Sequence, residues 1–318
     1  MATQAQYDVI TKAIIAALDR GTVPWQKPWQ KPRRDGFNPN IAHNAVTGKA
    51  YRGLNVVTLW AVSEEKGYRS NTWLTFKQAK QLGGSIRKGE KAATVTWWDV
   101  ITKEVEDEKT REIKAKKIFY VRLYFVFNLE QTDGVTLPKK IAAQQPEELP
   151  EDDGFDVIDA AQSIVDGFLG SDNAPTLQHH DQDRAYYSPV GDYVRLPLRT
   201  AFQEPSGYYA TAFHELGHST GHHTRLKRLD KDAAKLAPFG SEDYSKEELV
   251  AELTSAFLSA EVGVDNTRAN SASYIAGWLR VLKDDTSLVS KAATKAQQAA
   301  NLILSGSREP EVVTEGSN

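Results

Sequence analysis

Cysteine is absent from this 318-residue chain, and methionine occurs once, as Met1. Without thiols there is no disulfide framework and no thiolate zinc site, so a metal ion would have to be held by histidine and carboxylate. Histidine is itself scarce, at seven residues. No stretch approaches the roughly 18 consecutive apolar residues of a membrane span. The apolar run 13–18 lacks the basic flank and cleavage site of a secretory signal. With Tyr7, Ile10 and Ile14 it reads instead as one side of an amphipathic helix. A cytoplasmic protein without membrane attachment is expected.

Charge is unevenly spread. Residues 1–130 carry 22 Lys and Arg against 13 Asp and Glu, and residues 131–318 carry 17 against 29, giving nets of +9 and −12. Six of the seven tryptophans lie in the basic part. A polar, acidic stretch, 138–154, separates the two. These shifts predict a basic, aromatic-rich domain over 1–134, a linker over 135–154, a second domain over 155–304 and a disordered tail over 305–318. The class is α+β: a small N-terminal α+β domain joined to a mainly helical one.

Local patterns fill in the elements. Helices are predicted near 5–20, 53–66 and 75–82, followed by strands over 93–98 and 117–127 with an exposed loop or hairpin tip between 103 and 116. Beyond the linker, helices are predicted near 155–169, 206–220, 246–261 and 271–304. Short extended pieces at 185–187 and 193–196 flank a turn.

The sequence His214-Glu215-Leu216-Gly217-His218 falls on the predicted 206–220 helix, whose Tyr209, Ala212, Phe213 and Leu216 form an apolar side. Residues four apart lie one above the other, so the two imidazoles converge on one ion. Glu215, displaced by about 100°, can reach a water without ligating. Such a pattern holds hydrolytic zinc with one open position. Two histidines need a third ligand. Thr224 occupies the position where the longer three-histidine pattern requires its third, and no methionine is available for the turn beneath it. Glu248, on the next helix, is the preferred ligand, with Glu252 one turn on placed to bond an imidazole and set its tautomer. Ser245 and Glu248 also spell a capping box, which would instead spend Glu248 on a backbone N–H. Glu247 and Glu252 are reserve ligands, and His222 an outside one. The expected cofactor is one divalent ion, zinc first, with manganese or another divalent ion as the alternative. Tyr186, Tyr187, Tyr193 and Tyr244 are candidate oxyanion stabilisers, and Tyr193–Leu196 a candidate edge strand for pairing with an extended peptide.

In the basic half, aromatic and cationic residues interleave: Trp25, Lys27, Trp29, Lys31, Arg33 and Arg34; then Lys49, Tyr51 and Arg52; then Arg69, Trp73, Lys77, Arg87 and Lys88. Rings that stack on unpaired bases beside cations that follow phosphates predict a partner, single-stranded DNA, bound with little sequence preference. No helix-turn-helix or zinc-finger spacing occurs.

Several longer motifs coincide: 23–29 (VPWQKPW), 47–55 (TGKAYRGLN), 73–79 (WLTFKQA), 87–90 (RKGE), 187–189 (YSP), 214–222 (HELGHSTGH) and 247–252 (EELVAE). In these the chain resembles the ArdC family of plasmid antirestriction proteins over nearly its whole length. The resemblance implies an N-terminal single-stranded-DNA-binding domain and a C-terminal zincin-like metallopeptidase domain. Together they would shield incoming conjugative plasmid DNA from host restriction. It places His214, His218 and Glu248 as metal ligands and Glu215 as the catalytic residue. The protein substrate would be a DNA-bound or restriction-system protein. The alternative is a non-catalytic protein that coats the strand and keeps its metal domain as structure.

Overall fold

A computed structural model describes residues 4–32, 38–106, 113–142, 157–230, 241–267 and 272–307. The chain divides into two compact units: Met1–Pro24, Ala42–Gln145 and Leu282–Ser290 form the first, and Trp25–Ile41, Pro146–Val281 and Lys291–Asn318 the second.

The first unit runs through α1 (Gln4–Asp19), β1 (His43–Asn44), α2 (Leu54–Lys66), β2 (Thr72–Leu74), α3 (Phe76–Gln81), β3 (Ser85–Ile86), β4 (Ala93–Glu106), β5 (Ile113–Asn128), β6 (Thr132–Asp133) and α4 (Lys139–Ala142). Helix α1 buries Ile10, Ile14, Ala17 and Leu18, the side its periodicity predicts. The main sheet has the order β1-β2-β5-β4, and its core joins Leu59 of α2 to Trp73, Ala93, Val95 and Val126. In the β4–β5 register Ala93 faces Val126, Val95 faces Tyr124 and Trp97 faces Arg122, so these pairs share one face. Ala93, Val95 and Val126 are covered on it, whereas Tyr124 and Trp97 remain 42% and 61% exposed. Both strands run further than predicted and take up most of 103–116, because cross-strand hydrogen bonding extends the pairing through charged sequence. A capping box opens α3: Gln78 N–H donates to Thr75 Oγ1 at 3.2 Å and Thr75 N–H to Gln78 Oε1 at 2.8 Å.

The second unit contains α5 (Val157–Leu169), β7 (Thr176–His180), β8 (Tyr186–Ser188), β9 (Tyr193–Pro197), α6 (Pro205–Ser219), α7 (Glu242–Val262), most of α8 (Ala272–Asp284) and most of α9 (Ser287–Ser307). Its sheet has the order β7-β9-β8, with β9 parallel to β7 and antiparallel to β8. Tyr193–Leu196 is therefore a central strand, which corrects its prediction as an edge; β7, which the sequence did not suggest, takes up its other side.

The linear domain boundaries also need correction. Val135 and Leu137 pack on the cluster of Ala45, Leu74 and Ala79, and Ile141 is buried, so 135–142 belongs to the first unit. The remainder of the predicted linker and the tail beyond Ser307 lie outside the described residues. Segment 25–32 belongs to the second unit. Trp25 is fully buried, with its ring centroid 5.6 Å from that of Trp278. The Asn266 amide clamps the backbone there, donating to the Trp25 carbonyl at 3.0 Å and accepting from Lys27 N–H at 3.0 Å. Gly263 ends α7 at φ 81°, and a Cβ there would stand 2.7 Å from the Gln30 carbonyl oxygen, so both conformation and proximity demand glycine.

Candidate metal centre and nucleic-acid surface

Pro205 at the start of α6 supplies a φ already suited to the first helical turn. The helix then buries Tyr209, Ala212, Phe213 and Leu216 and carries His214, Glu215 and His218. Helix α7 starts at a Ser241 cap whose hydroxyl accepts from Tyr244 N–H at 3.2 Å, four residues earlier than predicted. Ser245 and Glu248 thus lie inside the helix, and the capping-box alternative for Glu248 is excluded. The two helices approach closely at Gly217, where a Cβ would stand 3.1 Å from Thr254 Cβ and 3.4 Å from Ala251 Cα.

That approach brings the candidate ligands together. His214, His218 and Glu248 each offer an atom within 4.8 Å of the others, the triad that this geometry singles out among the described residues. His214 Nε2 lies 3.5 Å from Glu248 Oε2, His218 Nε2 lies 3.4 Å from Glu248 Oε1, and the two Nε2 atoms are 3.1 Å apart. Once their Nε2 atoms give up their protons, two imidazoles so placed turn lone pairs toward each other beside a buried carboxylate. A cation resolves that arrangement, and two imidazoles with one carboxylate are a donor set suited to a divalent ion.

The opposite ring nitrogens have carboxylates of their own. His214 Nδ1 is 3.4 Å from Glu252 Oε1, and His218 Nδ1 is 3.5 Å from Glu247 Oε1. Glu252 thus lies beside the His214 nitrogen that faces away from the triad. Glu247, a reserve ligand in the sequence reading, instead faces the far side of His218 and is held by Arg228 at 3.1 and 2.7 Å. Arg228 also donates to the Gly217 carbonyl at 2.9 Å and to Thr220 Oγ1 at 2.9 Å. Burial alone would lower both histidine pKa values, but the glutamates outweigh it. Glu248 and Glu252 raise His214 to about 9, and Glu247 and Glu248 raise His218 to about 10. Burial likewise opposes ionisation of Glu248, yet His214 and His218 hold its pKa well below the usual carboxylate range. Glu215 is buried and its charge acts on His218.

Other candidates are committed elsewhere. His222 Nδ1 bonds Thr224 Oγ1 at 2.8 Å, outside the triad. Tyr187 donates to Asp192 Oδ1 at 2.8 Å in a cluster that Arg225 closes. Tyr186 and Tyr193 lie against Arg195, at 5.6 and 5.0 Å.

The matching family models follow the two halves. Residues 4–127 match the N-terminal domain of anti-restriction factor ArdC, and residues 165–295 match a zincin-like metallopeptidase. Metal-free and Mn(II)-bound crystal structures of the antirestriction ArdC protein from plasmid R388 are 40% and 37% identical to this chain. Each covers 95% of it and 97% of the solved chain, with TM-scores of 0.70. The chain belongs to the ArdC antirestriction family. It is also 33% identical to protein y4eC of Sinorhizobium fredii over 93% of this chain and 90% of that one. Two Escherichia coli DNA primase TraC proteins are 35% and 32% identical over 94% of this chain, which spans only 20% and 27% of their lengths. Among the described residues no helix is long and apolar enough to cross a membrane.

The predicted DNA contacts fare unevenly. Trp25, Trp29 and Trp73 are buried core residues with no ring face open to a base, which corrects their assignment. Lys27 and Lys31 are half-buried in the second unit, and Arg33 and Arg34 lie outside the described residues. Arg69, Lys77 and Lys88 are exposed, as is Arg87, which pairs with Glu90 at 3.1 Å. Lys49, Tyr51 and Arg52 do gather, on a cleft that also holds Trp97 and Tyr124. Sequence reasoning passed over those two. Strand alternation places them on the face of Val95 and Val126, but only the end of the covering helix decides that they emerge into solvent.

Proposed function

We propose that this ArdC-family chain is a DNA-directed metallopeptidase that binds single-stranded DNA and protects incoming conjugative plasmid DNA from host restriction. The observation that carries the peptidase half is Glu248 facing both imidazole Nε2 atoms, with Glu215 beside His214 on the same helix. His214, His218 and Glu248 would hold the ion, zinc first. When bound, the ion supplies Lewis acidity, lowering the pKa of a water and polarising a carbonyl. Glu252 and Glu247 keep each imidazole proton on Nδ1, which leaves both Nε2 lone pairs for the site. Glu215 accepts the proton of the attacking water and returns it to the leaving amine. The substrate is a protein met on DNA, from the restriction system or its neighbourhood.

The test compares the full chain with Glu215→Gln, each loaded with Zn(II), for cleavage of an unfolded casein and for survival of a transferred plasmid in a restricting host. Cleavage and protection should both fall in the variant at unchanged metal content. If the variant protects as well as the parent, the reading gives way to strand coating with a structural metal domain.

A further inference from the structure

The first unit carries a cleft of about 590 Å³ between the β4–β5 face and the start of α2, a size that buries one small ligand. Lys49 and Arg52 are exposed on its lining, and among the described lining residues there is no carboxylate. Trp97 and Tyr124 present open rings, and Val95 and Val126 form an apolar floor. A cleft with cations, flat rings and no anion is complementary to a ligand that is both aromatic and negatively charged.

The polar side chains of the cleft are already engaged. Asn55 Oδ1 accepts from Thr96 N–H at 2.8 Å and from Thr96 Oγ1 at 3.0 Å, and its Nδ2 donates to the Thr96 carbonyl at 2.8 Å. Asn44 and Gln78 exchange two amide bonds of 3.2 Å. Asn44 Oδ1 also accepts from the N–H groups of Val46 and Thr47 at 3.1 Å, and Gln78 Oε1 accepts from Thr75 N–H at 2.8 Å. Amides so occupied hold the walls in place and leave little with which to read the edge of a base. Every base, by contrast, has a face to stack.

We propose that this cleft seats an unpaired nucleotide of a single strand, its base against Trp97 and Tyr124 and its phosphates on Lys49 and Arg52, irrespective of which base it is. The inference rests on the nucleic-acid half of the function proposed above and assigns it a location. Selectivity for single strands follows from it as an expected outcome: bases stacked and paired in a duplex cannot present their faces to the two rings.

The experiment is fluorescence anisotropy of the full chain with labelled oligo(dT), oligo(dA) and a duplex of equal length. Trp97→Ala and Tyr124→Ala should each weaken binding of both single strands by about tenfold, with Trp97→Phe recovering most of the loss. Lys49→Gln and Arg52→Gln should each reduce the salt slope by about 0.7. If the parent prefers single strands and the ring variants bind as tightly as it does, the cleft assignment is overturned while the wider reading stands. If the parent shows no preference for single strands, both fall. A preference above tenfold between dT and dA overturns the indifference to base identity.

Discussion

Glu247 Oε1 stands 3.5 Å from His218 Nδ1 and is itself gripped by Arg228, so the second imidazole is oriented from α7 by a carboxylate that contributes nothing to the ligand triad. Glu252 does the same for His214 at 3.4 Å. One helix thus supplies a ligand and both orienting groups. Glu247→Gln and Glu252→Gln should each weaken Zn(II) or Mn(II) binding by roughly 10–100-fold, and Glu248→Gln by more than either. Competition against a chelating dye orders the three; a Glu248 variant no weaker than the other two would remove it from the ligand set.

Metal affinity should depend steeply on pH. His214 and His218 have pKa values raised to about 9 and about 10 without an ion, so at pH 7 an incoming ion must displace protons from both. Apparent affinity should climb between pH 6 and pH 8, with proton release visible as buffer-dependent heat in calorimetry. Stability of the metal-free protein runs in the opposite sense. A histidine whose pKa is raised on folding contributes stability fully below its ordinary value of 6.5 and loses it as pH rises through the folded value. Metal-free Tm should therefore decline from about pH 7 to pH 10. An affinity that is flat with pH contradicts the proton-holding site.

The 25–32 segment should behave as structure. Trp25→Ala empties a fully buried site and should cost about 3–5 kcal/mol in urea unfolding. Asn266→Ala leaves the Trp25 carbonyl and Lys27 N–H without their present partner and should cost about 1–3 kcal/mol. At temperatures where these variants are folded, their affinity for single strands should match the parent's. Loss of DNA binding at full stability would restore Trp25 to the nucleic-acid surface.

Gly217→Val tests the helix contact. A branched side chain placed 3.1 Å from Thr254 Cβ must push α6 and α7 apart, with an overpacking cost of about 1–3 kcal/mol. Since the ligands come from both helices, metal affinity should fall with every ligand in place. A variant that keeps parental affinity would show that the site tolerates helix separation.

Much of the metal centre could be read from the chain, because four-residue spacing on a helix is a local rule that needs no tertiary information. The convergence of His214 and His218 follows from it, as do the buried sides of α1 and α6, whereas Glu248 is only the preferred carboxylate among several until the two helices are placed together. The nucleic-acid residues were less legible. Trp25 and Trp29 alternate with lysine and proline as a solvent-facing stacking platform would, yet both rings are buried in the unit built around residues far along the chain. Composition reports which residue types are near in sequence, and burial depends on what arrives from elsewhere.

The sequence by itself therefore determined the family, the α+β class and the two-histidine helix of the metal centre with its preferred carboxylate, since each is encoded in short-range spacing and motif. Only the tertiary structure decided that Glu247 orients rather than ligates, that β9 is central, and that Trp97 and Tyr124 rather than Trp25 and Trp29 offer open rings. Those outcomes hinge on where α7 begins, which strands pair and how far a helix covers a sheet, and long-range packing settles each of them.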